Sequence, residues 1–470
     1  MAETDIRRSM LVTASGSIVS QAILVISTPI LTRLYSPEAI GQYSAFIALV
    51  TTLAVVVTLN YEIAIPLARD TREANAILIL TLAATTVVSM VVWGGLATSG
   101  QVIFGLLGIP YQSYYPHITL ALLLLIGVTK VLSYWLIRER QFGLSSIAKI
   151  GQSLSQSITQ VSLGAVSHSS FGLLAGQMVS QLGFLIIAGT SVLKTFTLSS
   201  IHEIIGSSRR HYRFPLITIW SCLIHAIAAN MLSVALISLH GAAVAGQFAL
   251  CFRVLQLPVN FVGASLAQVL YPAAVEARDS VKLDELILGT LNGLNAFAFP
   301  VFSALLLVSP ELFSMAFGAR WEDAGVYTRV LLPWVLLSLY SVSLSILVSV
   351  LDEQAKEFKF QLLYLFLTML GVVLASRFGN PLITIGAISL AAFLSLGPKI
   401  WWLLSLVGVK GRTAMAGLIR EAVFTLPLIL FIAVVRCFLV NPLVILGCTA
   451  VAVAANILFN HRFRNSYEFK

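Results

Sequence analysis

Apolar stretches long enough to cross a bilayer recur about fourteen times along this chain and leave almost nothing for a water-soluble domain. Only 10% of the 470 residues are charged and 58% are apolar, whereas a soluble domain carries about 25% charged residues. Lipid offers no partners to backbone N–H and C=O groups, so segments that cross it must bond those groups internally. Each run is about twice as long as a tilted membrane strand. The sequence therefore predicts an all-α polytopic membrane protein.

The apolar runs are separated by charged or Pro/Gly-rich breaks and divide into two groups around a basic connector. The first six spans are expected at 10–32, 40–66, 74–98, 114–137, 144–166 and 171–193, and the connector covers 194–215. Eight further spans are expected at 216–239, 243–270, 286–309, 327–350, 358–376, 381–405, 417–439 and 441–460. The run after Arg7 and Arg8 is too long for a cleaved signal peptide, so we assign it as the first span.

Positive charges alternate between successive loops. With the N-terminus in the cytoplasm, most of the 29 Lys and Arg residues fall on the cytoplasmic side. The arginines expected outside are Arg33, Arg320, Arg329, Arg377 and Arg436. The positive-inside rule then predicts that both termini are cytoplasmic. The net charge of +9 is explained by this topology, and no basic domain stands apart from the membrane to bind nucleic acid.

A short internal similarity suggests that the chain contains a repeat. Gly-Gln-Tyr at 41–43 opens span 2, and Gly-Gln-Phe at 246–248 opens span 8. Many transporters are built from such repeats. We therefore predict an N-terminal six-helix bundle at 1–193, the cytoplasmic connector at 194–215 and a C-terminal six-helix bundle at 216–405. Residues 406–470 would supply two additional transmembrane helices and a cytoplasmic tail.

Ionisable residues within the spans are candidates for function, because burying a charge in hydrocarbon is costly. Glu62 either pairs with Arg69 or Arg72 at the end of its span or binds a proton or cation in a cavity. Arg253 lies ten residues into span 8, near the midplane, and either contacts an anionic substrate in a cavity or pairs with a carbonyl group or an acid of the protein. Lys130 lies nearer the inner end of span 4 and either reaches the interface or lines the same cavity.

Polar side chains recur along one face of span 5. Lys149, Gln152, Gln156 and Gln160 follow a helical spacing, and span 6 adds Gln177 and Gln181. These amides either join helices to one another or line a cavity that hydrogen-bonds sugar hydroxyls. The second half has a comparable polar lining, which comprises His225, Asn230, Gln256, Asn260, Asn292 and Asn295. Pro258 should kink span 8 beside Arg253.

The chain has none of the motifs that would indicate an enzyme. We find no P-loop, no H-E-x-x-H and no G-x-S-x-G motif, and the outer loops are too short to hold a catalytic domain. The four cysteines lie in or at spans without C-x-x-C spacing, so neither a metal site nor a disulfide framework is expected. The sequence predicts a transporter that needs no cofactor.

Short motifs occur in a characteristic order over most of the chain. They are Gly16-Ser17, Pro29, Leu34-Tyr35-Ser36-Pro37-Glu38, Gly41-Gln42-Tyr43, Tyr61-Glu62-Ile63-Ala64-Ile65-Pro66, Tyr212-Arg213-Phe214-Pro215, Gly246-Gln247-Phe248, Arg253-Val254, Pro258, Phe317-Gly318-Ala319-Arg320-Trp321 and Leu332-Pro333-Trp334. In this pattern the chain resembles the polysaccharide exporters of the multidrug/oligosaccharidyl-lipid/polysaccharide superfamily, specifically the O-antigen (Wzx-type) flippases of bacterial inner membranes.

The resemblance implies two six-helix bundles around a central cavity. It also implies that an undecaprenyl-pyrophosphate-linked oligosaccharide moves from the cytoplasmic to the periplasmic leaflet. Arg253 and Lys130 would hold the pyrophosphate, and Glu62 would couple transport to protons or sodium ions. The polymerase and chain-length regulator of the same pathway are implied partners. The alternatives are a multidrug/cation antiporter, which usually needs only twelve spans, and a polytopic glycan polymerase, which needs a sizeable outer loop.

Overall fold

The computed structural model describes residues 2–196, 200–212, 214–276, 282–438 and 441–467. Over these ranges the secondary structure is helical and includes no strand. The chain divides into two compact units, Met1–Ala249 and Leu250–Lys470. The division into bundles at 193 and 216 concerns the internal repeat and stays a prediction.

The first unit contains eight described helices and the start of a ninth. They are α1 (Ala2–Leu34), α2 (Pro37–Val57), α3 (Thr71–Leu106), α4 (Tyr115–Arg138), α5 (Phe142–Val166), α6 (Ser170–Thr195), α7 (Ile201–Arg210) and α8 (Ile219–His240), followed by α9 (Ala242–Glu276). Helix α5 packs between α1 and α6, α4 packs against α3 and α6, and α2 packs against α8.

The second unit contains the rest of α9 and seven further described helices. These are α10 (Lys282–Phe317), α11 (Glu322–Leu344), α12 (Ile346–Val350), α13 (Gln354–Ser376), α14 (Pro381–Leu406), α15 (Gly411–Phe438) and α16 (Pro442–Tyr467). Helix α11 packs against α10 and α14, and α13 packs against α14. The two last helices, α15 and α16, both pack on α10 and on each other.

Thirteen helices of the described chain are long and apolar enough to cross a membrane. Helix α5 is a predicted span that is not among them, although its 25 residues are sufficient in length. The Lys, Gln and Ser side chains on one face of α5 lower its mean hydropathy, although its opposite face is apolar. Each of the fourteen predicted spans thus contains a helix, and the all-α polytopic fold is confirmed.

Local side-chain contacts explain where several helices begin. The Ser36 hydroxyl accepts the Ala39 N–H at 3.3 Å, and Pro37 supplies the fixed φ that a first helical residue needs. The Asp70 carboxylate accepts the Glu73 N–H at 2.7 Å, and Glu73 in turn accepts the Arg69 N–H at 2.8 Å. These caps satisfy backbone donors that have no partner inside the helix.

The structure corrects the predicted second span. That span was expected to be one helix from 40 to 66, but α2 ends at Val57 and a 3₁₀ turn follows at Tyr61–Leu67. Leu59 and Asn60 have φ values of 50° and 57°, in the left-handed region that breaks a right-handed helix. Glu62 therefore lies in a separate turn rather than in the last part of a membrane helix.

The basic connector predicted at 194–215 is partly helical. It contains α7, which begins with a reciprocal capping box between Ser200 and Glu203. At the other end of α7, an Arg210 guanidinium nitrogen lies 2.5 Å from a Glu73 carboxylate oxygen, and His211 Nε2 lies 3.6 Å from the same oxygen. The connector is thereby docked on the start of α3.

The two similar tripeptides lie against each other. Helices α2 and α9 approach so closely that a Cβ on Gly41 would collide with the Ala242 carbonyl oxygen and crowd the Gly246 nitrogen. A Cβ on Gly246 would collide with the Pro37 carbonyl oxygen. The glycine that opens each segment is needed because the contact is between two backbones.

We expect Gly41→Ala to lower the free energy of unfolding by about 1–3 kcal/mol, because backbone atoms on the facing helix cannot rotate away from the added methyl group. Gly95→Ala in α3 is the matched control, since a Cβ there would meet no described atom within 4 Å beyond its own stretch of helix. Thermal unfolding of the detergent-solubilised protein should show a lower Tm only for the first variant. Equal Tm values would contradict the close crossing.

Candidate functional site

Glu62 is one of the few carboxylates buried in the described part of the chain. Its residue is 3% exposed, and its Oε1 lies 3.9 Å from Lys130 Nζ. The ion pair shown for Glu62 reaches across to α4, whereas the sequence had left open either a pair with Arg69 or Arg72 or a position in a cavity.

Lys130 bridges this carboxylate and the end of α2. Its ammonium donates a hydrogen bond of 2.7 Å to the Ala54 carbonyl oxygen. The Thr58 N–H bonds to Val56, so the Ala54 carbonyl is available to another donor. The side chain of Lys130 remains 31% exposed. Two of the predicted site residues, Glu62 and Lys130, therefore meet in one cluster.

The second carboxylate oxygen of Glu62 has no hydrogen-bond partner among the described residues. Glu62 Oε2 is fully buried in this turn. A buried carboxylate oxygen without a donor is costly, whereas a proton or a bound cation on that oxygen would relieve the cost. Glu62 Oε2 is therefore the atom of this cluster at which a proton or a cation would be stabilised.

Helix α4 also holds the turn that carries Glu62. Arg138, two helical turns after Lys130, donates to the Ala68 carbonyl oxygen at 2.8 Å and to the Ile65 carbonyl oxygen at 3.2 Å. Ile65 itself packs in a buried cluster with Trp135 of α4. The sequence placed Arg138 among the cytoplasmic charges and missed this role in positioning the turn.

The amide face of α5 is hydrogen-bonded to α6. Gln152 Nε2 donates to Gln181 Oε1 at 3.3 Å, and Gln156 Nε2 donates to Gln177 Oε1 at 3.2 Å. Gln160 Nε2 donates to the Leu173 carbonyl oxygen at 3.0 Å. These contacts are those expected if the amides join helices. A role of these three glutamines in sugar binding stays a prediction.

The remaining contacts of α5 extend the same polar seam to α1 and the loop after it. Lys149 Nζ donates to Ser17 Oγ at 3.2 Å, and Ser20 Oγ lies 2.5 Å from Ser153 Oγ. The Tyr35 hydroxyl donates to the Gln160 carbonyl oxygen at 2.8 Å. Burial raises the pKa of Tyr35 to about 12, so this hydroxyl keeps its proton and stays a donor.

Arg253 lies on an exposed face of α9. Residues 253, 256 and 260 share that face by their i, i+3 and i+7 spacing, while Cys251 and Leu255 on the opposite side are buried. Arg253 and Asn260 are exposed and Gln256 is half-buried. The described helix continues through Pro258. The side chain of His225, which the sequence grouped with this lining, lies outside the described residues.

Two of the charge pairs described in the second unit involve residues within or beside predicted spans and were not predicted. Lys399 Nζ of α14 lies 2.5 Å from Glu357 Oε1 of α13. Glu421 of α15 is 2% exposed and its Oε1 lies 3.4 Å from Arg420 Nη2. The sequence could have indicated the second pair, because Glu421 is an acidic residue within the predicted span 417–439.

A double substitution distinguishes the two roles left open for the α5 amides. Gln152→Leu with Gln181→Leu replaces a bonded amide pair by apolar side chains of similar size, which is close to neutral when both partners are removed. If the pair only joins helices, we expect Tm within a few degrees of the native protein and unchanged transport per folded molecule. Gln152→Leu alone leaves the buried Gln181 without this hydrogen-bond donor, so it should lower Tm more than the double variant does.

Preserved folding with lost transport in the double variant would show that these amides bind the substrate. The measurements are thermal unfolding in detergent and transport normalised to the amount of folded protein.

A family model described as polysaccharide biosynthesis protein matches residues 30–325. The chain belongs to the polysaccharide biosynthesis protein family. This confirms the family suggested by the motif order. No curated protein matches the sequence significantly.

Solved structures that share the fold belong to the superfamily inferred from the sequence. The lipid II flippase MurJ in an inward closed conformation has a TM-score of 0.78 at 10% identity, covering 98% of this chain and 100% of that one. An inward-facing multidrug resistance MATE family transporter of the MOP superfamily has a TM-score of 0.60 at 14% identity, covering 86% and 99%. A MOP superfamily transporter from Pyrococcus furiosus has a TM-score of 0.56 at 17% identity, covering 86% and 95%. This member of the polysaccharide biosynthesis protein family thus has the fold of MOP superfamily exporters.

Proposed function

We propose that this protein flips an undecaprenyl-pyrophosphate-linked oligosaccharide from the cytoplasmic to the periplasmic leaflet of the bacterial inner membrane. The family is one of polysaccharide biosynthesis. One solved structure of the same fold is a flippase for lipid II. Both termini would be cytoplasmic, as the Lys/Arg distribution indicates. The polymerase and chain-length regulator of the pathway would act on the exported unit.

The observation that carries this proposal is the exposed arginine in the middle of a membrane helix. Arg253 lies about 16 Å from the start of α9, given a rise of 1.5 Å per residue, which is half of a roughly 30 Å hydrocarbon core. A guanidinium at that depth cannot face lipid tails without a large cost. Arg253 therefore faces water or an anion, and a planar fork suits the oxygens of a pyrophosphate.

The Glu62–Lys130 pair would couple transport of the cargo to the binding of an ion. A cation or proton on the unbonded Glu62 Oε2 would weaken the hold of this carboxylate on Lys130. The ammonium, 31% exposed, could then bind the anionic cargo. Occupation of Glu62 by the ion and of Lys130 by the pyrophosphate would then be thermodynamically linked, and ion-coupled transport requires such a linkage between the two sites.

Alternating access is the mechanism that best suits this fold. Transporters with repeated bundles move a central site from one side of the membrane to the other by rocking. The buried Glu62 also suits the alternative function, a multidrug/cation antiporter. An organic cation would be repelled by the guanidinium of Arg253, so the anionic lipid-linked glycan is the better-matched cargo.

Arg253→Ala should abolish the appearance of surface glycan in a flippase-null strain, because it removes the guanidinium proposed to contact the pyrophosphate. Arg253→Lys should recover only part, since an ammonium offers a point charge without the planar fork. Arg377→Ala, which removes an arginine from the predicted outer side, is the matched control and should complement fully. Glycan is measured by gel staining, with protein amount measured on a membrane blot.

Full complementation by Arg253→Ala at native protein level would overturn the assigned role of this residue. Export of an organic cation with no glycan complementation by the native chain would favour the antiporter instead.

Glu62→Gln should abolish transport that depends on an imposed ion gradient while cargo binding remains, because an amide cannot take up a proton or hold a cation by charge. Glu38→Gln is the matched control, an exposed acid in the same unit. The assay is gradient-driven transport in vesicles, normalised to folded protein, together with cargo binding in detergent. Equal normalised rates in Glu62→Gln and the native protein would exclude the coupling role.

A further inference from the structure

Arg420 lies at the inner end of the membrane-embedded part of α15. It precedes Phe438, the end of the helix, by about 27 Å at 1.5 Å per residue. A hydrocarbon core is roughly 30 Å thick. With the outer end of α15 at one interface, the Arg420 guanidinium therefore lies at the level of the inner-leaflet phosphate groups.

Two residues on two helices hold this guanidinium in place. Arg420 Nη2 lies 3.4 Å from Asn292 Oδ1 of α10 and 3.4 Å from Glu421 Oε1. Glu421 is 2% exposed, whereas the Arg420 side chain is 46% exposed. The buried carboxylate thus fixes a positive group that reaches the surface of the protein.

Polar side chains from three helices lie close to Arg420, and we call this group the polar node. It comprises Asn292 and Asn295 of α10, Tyr340 of α11 and Glu421 of α15. On α10, Asn295 is buried and its Oδ1 accepts the Tyr340 hydroxyl of α11 at 2.5 Å. On α15, Gly417 leaves room for the amides, since a Cβ there would lie 2.9 Å from Asn292 Oδ1. Burial of Glu421 costs free energy that apolar packing would not, so the node is not explained as a device for stability.

The exposed part of the guanidinium has donors to spare. An arginine carries five N–H groups in a planar fork, and within the described chain only Nη2 of Arg420 makes hydrogen bonds. Such a fork binds phosphate oxygens bidentately, and its fixed orientation reduces the entropy lost on binding. We propose that Arg420, held by Glu421 and Asn292, is a binding site for the phosphate group of an inner-leaflet lipid.

An arginine that only lies at the membrane interface would not need hydrogen bonds to a buried acid and to a second helix. Arg412 on the same helix is also exposed, yet no hydrogen bond or ion pair joins it to another described residue. An arginine that only reaches towards headgroups resembles Arg412, with a free side chain. Arg420 differs because a buried acid and a neighbouring helix fix it, as for a group that must meet a ligand in one orientation.

This site goes beyond the proposed transport function and rests only on the topology proposed with it. Two lipids share the required chemistry: the lipid-linked diphosphate that would enter from the inner leaflet, and a bulk anionic phospholipid. Binding can be measured without transport, so a failure of one assignment leaves the other standing. A phosphate-free glycolipid separates the contribution of the headgroup from that of the lipid tail.

The test is native mass spectrometry of the full chain in a maltoside detergent, which contributes no phosphate. The probes are undecaprenyl diphosphate, phosphatidylglycerol and a neutral galactolipid, added in an Arg253→Ala background so that the site proposed above does not contribute. The main variant is Arg420→Gln with Glu421→Gln, which removes both charges and leaves no uncompensated buried carboxylate. Glu421→Gln alone and Arg412→Gln are the controls.

We expect the double variant to weaken binding of at least one phosphate-bearing lipid roughly tenfold and to leave the galactolipid unchanged, since a lost bidentate charge-assisted contact has that order of effect. Glu421→Gln keeps the guanidinium and provides an amide oxygen that can still accept its N–H, so the affinity for phosphate-bearing lipids should be retained. Arg412→Gln should change affinity by less than about twofold on the same scale. Loss for undecaprenyl diphosphate alone would identify the cargo lipid as occupant, and loss for both lipids would identify any lipid phosphate.

Unchanged affinity for both phosphate-bearing lipids in the double variant would overturn the site. So would an equal loss in Arg412→Gln or an equal loss for the galactolipid. If the double variant does not fold, Arg420→Lys provides the test instead, because it keeps the ion pair with Glu421. It should bind the same lipid with intermediate affinity, and native affinity in Arg420→Lys would exclude bidentate recognition.

Discussion

The inability of lipid to hydrogen-bond with protein is the constraint on which the rest of this structure depends. It requires helices for the backbone, and it requires a partner for each polar side chain below the surface. Helix α5 shows the second requirement well. Its glutamines bond to α6 and its lysine bonds to α1, so a helix of low hydropathy is accommodated among apolar neighbours. The polar residues along this face of α5 therefore mark contacts between helices.

Charged residues meet the same constraint through pairs that join different helices. Glu62 pairs with Lys130 across to α4, and Glu357 pairs with Lys399 across from α13 to α14. Glu421 is different because its partner is the neighbouring, half-exposed Arg420. Breaking such a pair leaves a buried charge, which costs about 3–5 kcal/mol. A ligand that competes for one member of such a pair would therefore shift the balance between conformations.

The candidate site was partly predictable because depth in the membrane follows from counting residues along a span. Arg253 could be selected in this way as a cation near the midplane, and Lys130 as a cation within a span but nearer its inner end. The partner of Glu62 could not be selected, since Leu59 and Asn60 interrupt the expected helix through left-handed backbone angles that hydropathy does not reveal. Arg138 was assigned to the cytoplasmic loops, and only the folded turn shows that its guanidinium binds backbone carbonyl groups there.

The sequence alone determined the fold class, the fourteen helical spans and the family, because these depend on apolar length, charge distribution and the order of short motifs. Only the tertiary structure decided which polar groups meet. Asn292 and Arg420 are far apart along the chain, and nothing in the local pattern of either helix indicates the other. The close contact of Gly41 and Gly246 depended on both: the sequence showed two similar segments, and the tertiary structure showed that their backbones touch. Pairing between helices is set by three-dimensional packing, which a one-dimensional periodicity does not encode.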